Sequence, residues 1–201
     1  MRLLTAIITM LAFAAPAYAA DDWRSVAHSY DVERIDTVAA AIAQGNAEAK
    51  GNGSGYEQAI AKLLMAAPAG DIDTKAMVGK WQCRTIKVGG PFVGLVVYDW
   101  FKCRIDERTG ALTVTKVTGS QNFAGTLYAD GPRRMVLLGG GYYGYEAPRA
   151  YQAADSVDGK SPDNRDKVAT VEMLGPDWMR FVFPYPARES TYDIIEFRRD
   201  G

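Results

Sequence analysis

The only two cysteines of this 201-residue chain stand in matching phrases, Trp81-Gln82-Cys83-Arg84 and Trp100-Phe101-Lys102-Cys103-Arg104. A bond between them would lock one hairpin in place. If the flanking strands turn near Gly89-Gly90-Pro91-Phe92, an antiparallel register sets Cys83 opposite Cys103, Trp81 opposite Ile105 and Thr85 opposite Phe101. Opposed Cβ atoms in such a ladder lie about 4.5–5.5 Å apart, so a cross-strand disulfide needs only a small adjustment. The Cys-x-x-Cys spacing of a redox pair is absent, and with His28 the only histidine no metal-ligand set is recognisable. The expectation is a structural bridge between Cys83 and Cys103, formed in an oxidising compartment.

The amino terminus points to the same compartment. Residues 1–20 carry Arg2, an apolar run from Leu3 to Ala15, then Pro16 and the small-residue pattern Ala17-Tyr18-Ala19. That order is a secretory signal peptide, with cleavage expected after Ala19 or Ala20. The run is shorter than the roughly 20 apolar residues that span a bilayer, and no cysteine stands at the new terminus to carry lipid, so no stable membrane anchor is expected. A periplasmic or secreted protein of about 180 residues remains, enough for one domain with a real core. Without Arg2 the 23 basic and 24 acidic residues become 22 and 24, a net charge of -2, which gives no reason to expect a nucleic-acid partner.

Residues 21–68 read as a helical extension and 69–201 as a β domain. From Asp22 to about Lys50 the chain is alanine-rich, with Val26, Tyr30, Val38 and Ile42 near one helical face and Asp31 placed to cap a second helical start. Gly51-Asn52-Gly53-Ser54-Gly55 breaks that helix, and a second runs from Tyr56 to Ala67 with Ile60, Leu63 and Leu64 on one side. Beyond it the texture changes to short runs of Val, Ile, Thr, Tyr and Phe between turn residues. Eight strands are expected, at 78–88, 92–105, 111–118, 121–129, 133–139, 167–174, 178–184 and 191–199. The fold class is therefore mainly β (α+β), an eight-stranded antiparallel meander closing into a barrel behind two N-terminal helices. The connection 140–165 is long enough to cover a site or to move.

Four stretches, GKWQCRTIKVGG, VVYDWFKCRI, TGSQNFAGTLY and FPYPARESTYDIIEF, together resemble the domain-of-unknown-function family DUF4893 of exported bacterial proteins. That resemblance implies export and one domain, and it supplies no activity and no catalytic residue. Gly79-Lys80-Trp81 also looks like the Gly-x-Trp that opens the first strand of lipocalin-like barrels, where Arg198 or Arg199 would stack on the indole. Lipocalins place their helix after the barrel, whereas here the helices come first. Gly79, Trp81, Trp100, Arg84 and Arg104 are read as structural.

Candidate chemistry is sparse. Gly139-Gly140-Gly141-Tyr142-Tyr143-Gly144 matches Gly-x-Gly-x-x-Gly and follows a strand, but a dinucleotide site also needs a helix to begin there, which the tyrosines and Pro148 disfavour. A flexible turn after the fifth strand is the plainer reading, and an aromatic lid of Tyr142, Tyr143 and Tyr145 over a cavity is a third. Ser120 and Gln121 sit at a tight turn, with His28 too remote in sequence to make a serine triad expected. Glu172, Glu189, Asp193 and Glu196 could supply a pair of acids. The expected function is a non-enzymatic exported protein, without cofactor or metal, binding a small apolar or amphipathic ligand at Tyr142, Tyr143, Tyr145, Ser120 and Gln121. An envelope protein partner held by the N-terminal helices is the first alternative, a carboxylate hydrolase the second.

Overall fold

The computed structural model describes residues 22–151 and 165–199. The signal peptide read at 1–20 and much of the long connection lie outside them. Five helices precede the strands: α1 (Trp23–Val26), α2 (Ser29–Asp36), α3 (Val38–Glu48), α4 (Gly55–Leu63) and α5 (Thr74–Met77). Ser54 caps α4 in a reciprocal arrangement with Glu57, satisfying backbone donors at its start. Asp31 is not the cap expected of it. Helix α2 begins two residues earlier with His28 at the cap position, which leaves Asp31 in the first turn and buried. There its carboxylate accepts from Arg34 at 2.9 Å and from the Tyr151 hydroxyl at 2.6 Å. Leu63 also departs from expectation and faces solvent, because α4 lays Ile60 and Leu64 against the protein instead.

The strands are β1 (Gly79–Val88), β2 (Leu95–Val97), β3 (Phe101–Arg108), β4 (Ala111–Lys116), β5 (Gln121–Ala129), β6 (Met135–Tyr143), β7 (Asp166–Gly175), β8 (Trp178–Pro184) and β9 (Tyr192–Arg198). Each pairs antiparallel with its sequence neighbour around the sheet, and β9 returns to pair with β1, which closes a barrel. Strands β2 and β3 occupy one position in it, both on the same edge of β1, so the barrel has eight strand positions. The segment expected as one strand at 92–105 is thus broken at Tyr98-Asp99-Trp100.

That break changes the register. Val97 faces Ile86 and Phe101 faces Cys83, so four steps along one strand meet three along the other, the signature of one extra residue. The hairpin closes with Val88 opposite Leu95, and the extra residue makes up only part of the offset this creates, so Cys103 lies opposite Trp81 and Cys83 opposite Phe101, and the direct opposition expected of the cysteines is displaced by two residues. The disulfide forms across the diagonal, with Cα atoms 5.8 Å apart. Strand twist shortens one diagonal of an antiparallel pair, which brings the two sulfurs within bonding reach.

The glycine run is strand, not turn. Residues Gly139–Tyr143 pair with β5, and Gly139 and Gly140 pair also with β7. A Cβ on Gly139 would stand 2.2 Å from the Ala124 carbonyl oxygen, and one on Gly125 within 2.6 Å of the Gly139 Cα. The two strands approach so closely at this point that neither position can carry a side chain.

Inward-facing residues make the main core: Trp81, Cys83, Ile105, Val114, Leu137, Val171, Met179, Phe181 and Phe197 fill one half of the barrel, and Met77 of α5 seals its end. The Trp81 indole donates to the Met77 carbonyl at 2.8 Å, and the Arg199 guanidinium lies 4.2 Å over its ring. Arg199 rather than Arg198 is therefore the stacking arginine; Arg198 covers Trp178. The helices of the region 21–68 neither plug the barrel nor stand free of it. Trp23 and Ile35 pack on the outer faces of β6 and β7, while Ala41 and Leu64 pack on those of β1, β8 and β9. Arg180 ties α4 down, donating to the Leu64 and Ala66 carbonyls at 2.5 and 2.8 Å while paired with Glu172.

Replacing Cys83 and Cys103 together by serine opens a loop with a sequence separation of 20 and should cost about 3 kcal/mol. Denaturant unfolding of the oxidised protein against this variant measures the loss, and reductant should destabilise only the former.

Candidate functional site

The other half of the barrel is not filled. Where the inward positions approach the open end, apolar residues give way to polar ones: Lys87 follows Thr85 on β1, Lys116 follows Val114 on β4, Lys167 precedes Ala169 on β7 and Asp193 precedes Ile195 on β9. A cavity of about 340 Å³ opens among them. Its floor is aromatic, with Phe101, Phe123 and Phe183 lining it, and Phe123 meets Phe183 edge to face at 5.6 Å between centroids. Gly141 contributes to the space, since a Cβ there would press to 2.9 Å from the Lys167 Cε.

Four of the five residues expected at a ligand site line this cavity: Ser120, Gln121, Tyr142 and Tyr143. Their roles differ from a simple lid. Tyr142 is buried in the wall, its hydroxyl 3.4 Å from the Lys116 carbonyl, and burial pushes its ionisation upward. Tyr143 sits at the rim beneath the Arg165 guanidinium, 5.1 Å from its ring centre. Tyr145 stacks on Tyr143 at 5.6 Å but is 86% exposed and lines no part of the cavity. Glu146 holds this corner together, accepting from the Tyr143 backbone and from Arg165, and these bonds keep its carboxyl below the usual range. Ser120 and Gln121 contribute backbone as well as side chain, the first accepting from Gly144 and the second from Lys116. His28 stands at the cap position of α2 and packs near Tyr151, away from the cavity lining.

The residues read as structural make contacts within the fold. Arg84 pairs with Glu196 at 2.7 Å, donates to the Tyr56 hydroxyl at 2.8 Å and lies 4.4 Å over Trp100. This ties the broken strand to α4 and β9. Arg104 pairs with Asp106 on the surface, and Gly79 has φ 133°, backbone that favours glycine.

The four acids weighed from the sequence separate into two groups. Glu172 and Glu196 are held by Arg180 and Arg84 on the outer face. Glu189 and Asp193 both line the cavity. Glu189 takes a left-handed backbone at φ 76° and accepts from Lys87, a bond that lowers its pKa. Burial raises the pKa of Asp193 against the pull of Lys87 and lowers that of Lys167 against the pull of Asp193, so desolvation drives both groups toward their neutral forms. Burial also depresses Lys87, but Asp193 and Glu189 outweigh it and raise its pKa.

Lys116 is different. It is 5% exposed, donates to the Thr118 and Gln121 carbonyls at 2.9 and 2.7 Å, and lies 4.1 Å over the Phe101 ring. Burial alone lowers its pKa to about 8. The basic side chains at the mouth were missed because motifs were weighed one at a time. Two-residue periodicity carries the signal: a lysine or aspartate one step beyond an apolar inward residue, at the same end of several strands, marks a polar barrel mouth.

A titration of the lysine Cε resonances should show one midpoint near 8, with the ammonium charged below it and neutral above. Its absence from a Lys116→Gln variant would assign it.

No helix among the described residues is long and apolar enough to cross a membrane. The disulfide is compatible with an exported protein. No curated protein matches the chain. Among solved structures, a redesigned β barrel is similar over 63% of this chain and 94% of its own, at 9% identity and a TM-score of 0.41. A family profile described as a domain of unknown function, DUF4893, matches residues 23–197, and with nearly the whole described fold inside that match the chain belongs to this family.

Proposed function

We propose that this protein is an exported, non-enzymatic binding protein whose barrel mouth takes up one small amphipathic molecule. The observation that carries the reading is the change of the inward face halfway along the barrel, from packed apolar side chains to a cavity with an aromatic floor and a charged rim. A cavity of about 340 Å³ stands at the lower end of the roughly 300–1,000 Å³ that small-molecule sites occupy. Apolar contact with the floor would supply most of the affinity, and the rim would orient the polar end. Export is supported by the amino-terminal pattern and by the disulfide.

Native mass spectrometry of the protein purified gently from the exported fraction tests this. A discrete small adduct is expected, absent in Gly141→Leu, whose side chain grows into the cavity; Thr85→Phe, from another wall, should act alike. The denatured mass should correspond to cleavage after Ala19 or Ala20. A bare native protein that binds no amphipathic compound would sink the proposal.

A carboxylate hydrolase keeps a foothold in one observation: Glu189 and Asp193 share the cavity with their pKa values pushed in opposite directions, as an acid and a base require. Turnover of chromogenic esters or glycosides, lost in Asp193→Asn, would establish that reading, and no turnover would remove it. A partner gripped by residues 21–68 has less support, because the apolar residues of α2 and α3 are spent against the barrel wall.

A further inference from the structure

Among the charges at the mouth, Lys116 has an unusual set of partners. Lys87 meets Glu189, Arg165 meets Glu146, and Lys167 feels the field of Asp193. Among the described residues no carboxylate pairs with Lys116, whose ammonium is satisfied by two carbonyl oxygens and the face of Phe101. An ammonium has three protons to donate, so one is left on a side chain that lines the cavity. A buried cation without an acid is costly, and an anion arriving beside it would recover that cost through a charge-assisted hydrogen bond.

The position of the acids orients the molecule. Glu189 stands with Lys87 on the arc formed by β1 and the loop before β9, where its carboxylate already takes up the ammonium of Lys87 and would repel a second anion. Lys116 stands at the β4–β5 turn beside Gln121, with the rings of Phe101 and Phe123 next to it. Flat aromatic walls favour a flat aromatic guest, stacked or edge-on. The cavity volume favours a single compact ring system over a two-chain lipid.

We propose that the molecule taken up at the mouth is a compact aromatic acid, its carboxylate, sulfonate or phosphate on Lys116 and its ring among Phe101, Phe123 and Phe183. This rests on the mouth being a ligand site, and it names the ligand class.

Isothermal titration with three probes of one shape and different heads, naphthoate, naphthalenemethanol and naphthylmethylammonium, tests it on the full mature protein. Naphthoate should bind about tenfold or more tighter than the alcohol, as a charge-assisted hydrogen bond implies, and the ammonium should not bind. Lys116→Gln keeps a donor for the carbonyls and removes the charge, so it should erase the advantage of naphthoate over the alcohol. Should that variant fail to fold, the wild-type Lys116 Cε resonance should shift with naphthoate and not with naphthalenemethanol, and an unmoved resonance overturns the inference. Equal binding of all three probes, abolished by Gly141→Leu, overturns the acid and leaves the mouth as a site. If no probe binds, the inference falls: alone where the native protein carries an adduct that Gly141→Leu removes, together with the binding reading where it carries none.

Discussion

Strand β1 is paired along both edges, and the rest of the molecule depends on that. On one edge it meets β9 from Gln82 to Val88, the contact that turns a meander into a closed wall. On the other it meets β3 and then β2, with the disulfide fastening the first of these. Closure removes the unpaired backbone edges of an open sheet. It also gives the interior two ends of different character. At one, Met77, Trp81 and Arg199 form a seal in which the arginine donates to the Ala76 and Val78 carbonyls while covering the indole. At the other, the inward positions change to lysine and aspartate and the packing stops.

The electrostatics follow from that division. A barrel filled to both ends would need no charge inside, and ionic side chains placed inward are penalised by desolvation unless paired. Here the penalty is met locally: Glu189 serves Lys87, Glu146 serves Arg165, and Asp193 and Lys167 lean toward neutrality together. Lys116 is held by two carbonyls and the face of Phe101, with no carboxylate among the described residues, and its burial depresses its pKa. The mouth is therefore polarised across its width as well as along the barrel axis.

Much of this was legible in the sequence. The β-rich runs and their spacing placed seven of the nine strands within a few residues and merged β2 with β3, and the bridge and the barrel could be argued from composition and the paired Trp-Cys-Arg phrases. Three failures have physical causes. The register of β1 and β3 differs from expectation because the hairpin closes at Val88 and Leu95, a turn position that the glycines at 89, 90 and 94 do not fix, and the extra residue among Tyr98, Asp99 and Trp100 makes up only part of the offset. The glycine run was read as a turn because glycine usually breaks structure, whereas Gly125 and Gly139 are needed where two strands touch. Tyr145 shares its type with Tyr142 and Tyr143, but β6 ends at Tyr143, and beyond the strand Tyr145 is left on the surface, stacked on Tyr143. Ser120, Gln121, Tyr142 and Tyr143 came together at the cavity because the β4–β5 turn and the end of β6 sit at the same rim.

Glu48, at the end of α3, reaches across to the rim. Its carboxylate accepts from the Gly90 amide at 2.8 Å and from the Thr191 hydroxyl, while Gln44 supports it from the preceding helical turn. Gly90 in turn fits so tightly beneath Glu189 that a Cβ would stand 2.3 Å from its carbonyl oxygen. One helical carboxylate thus fastens two separate loops of the mouth from behind, without entering the cavity. An opening braced in this way is held in shape by the fold itself. For the uptake proposed above, little conformational freedom of these two loops would be left to lose on binding.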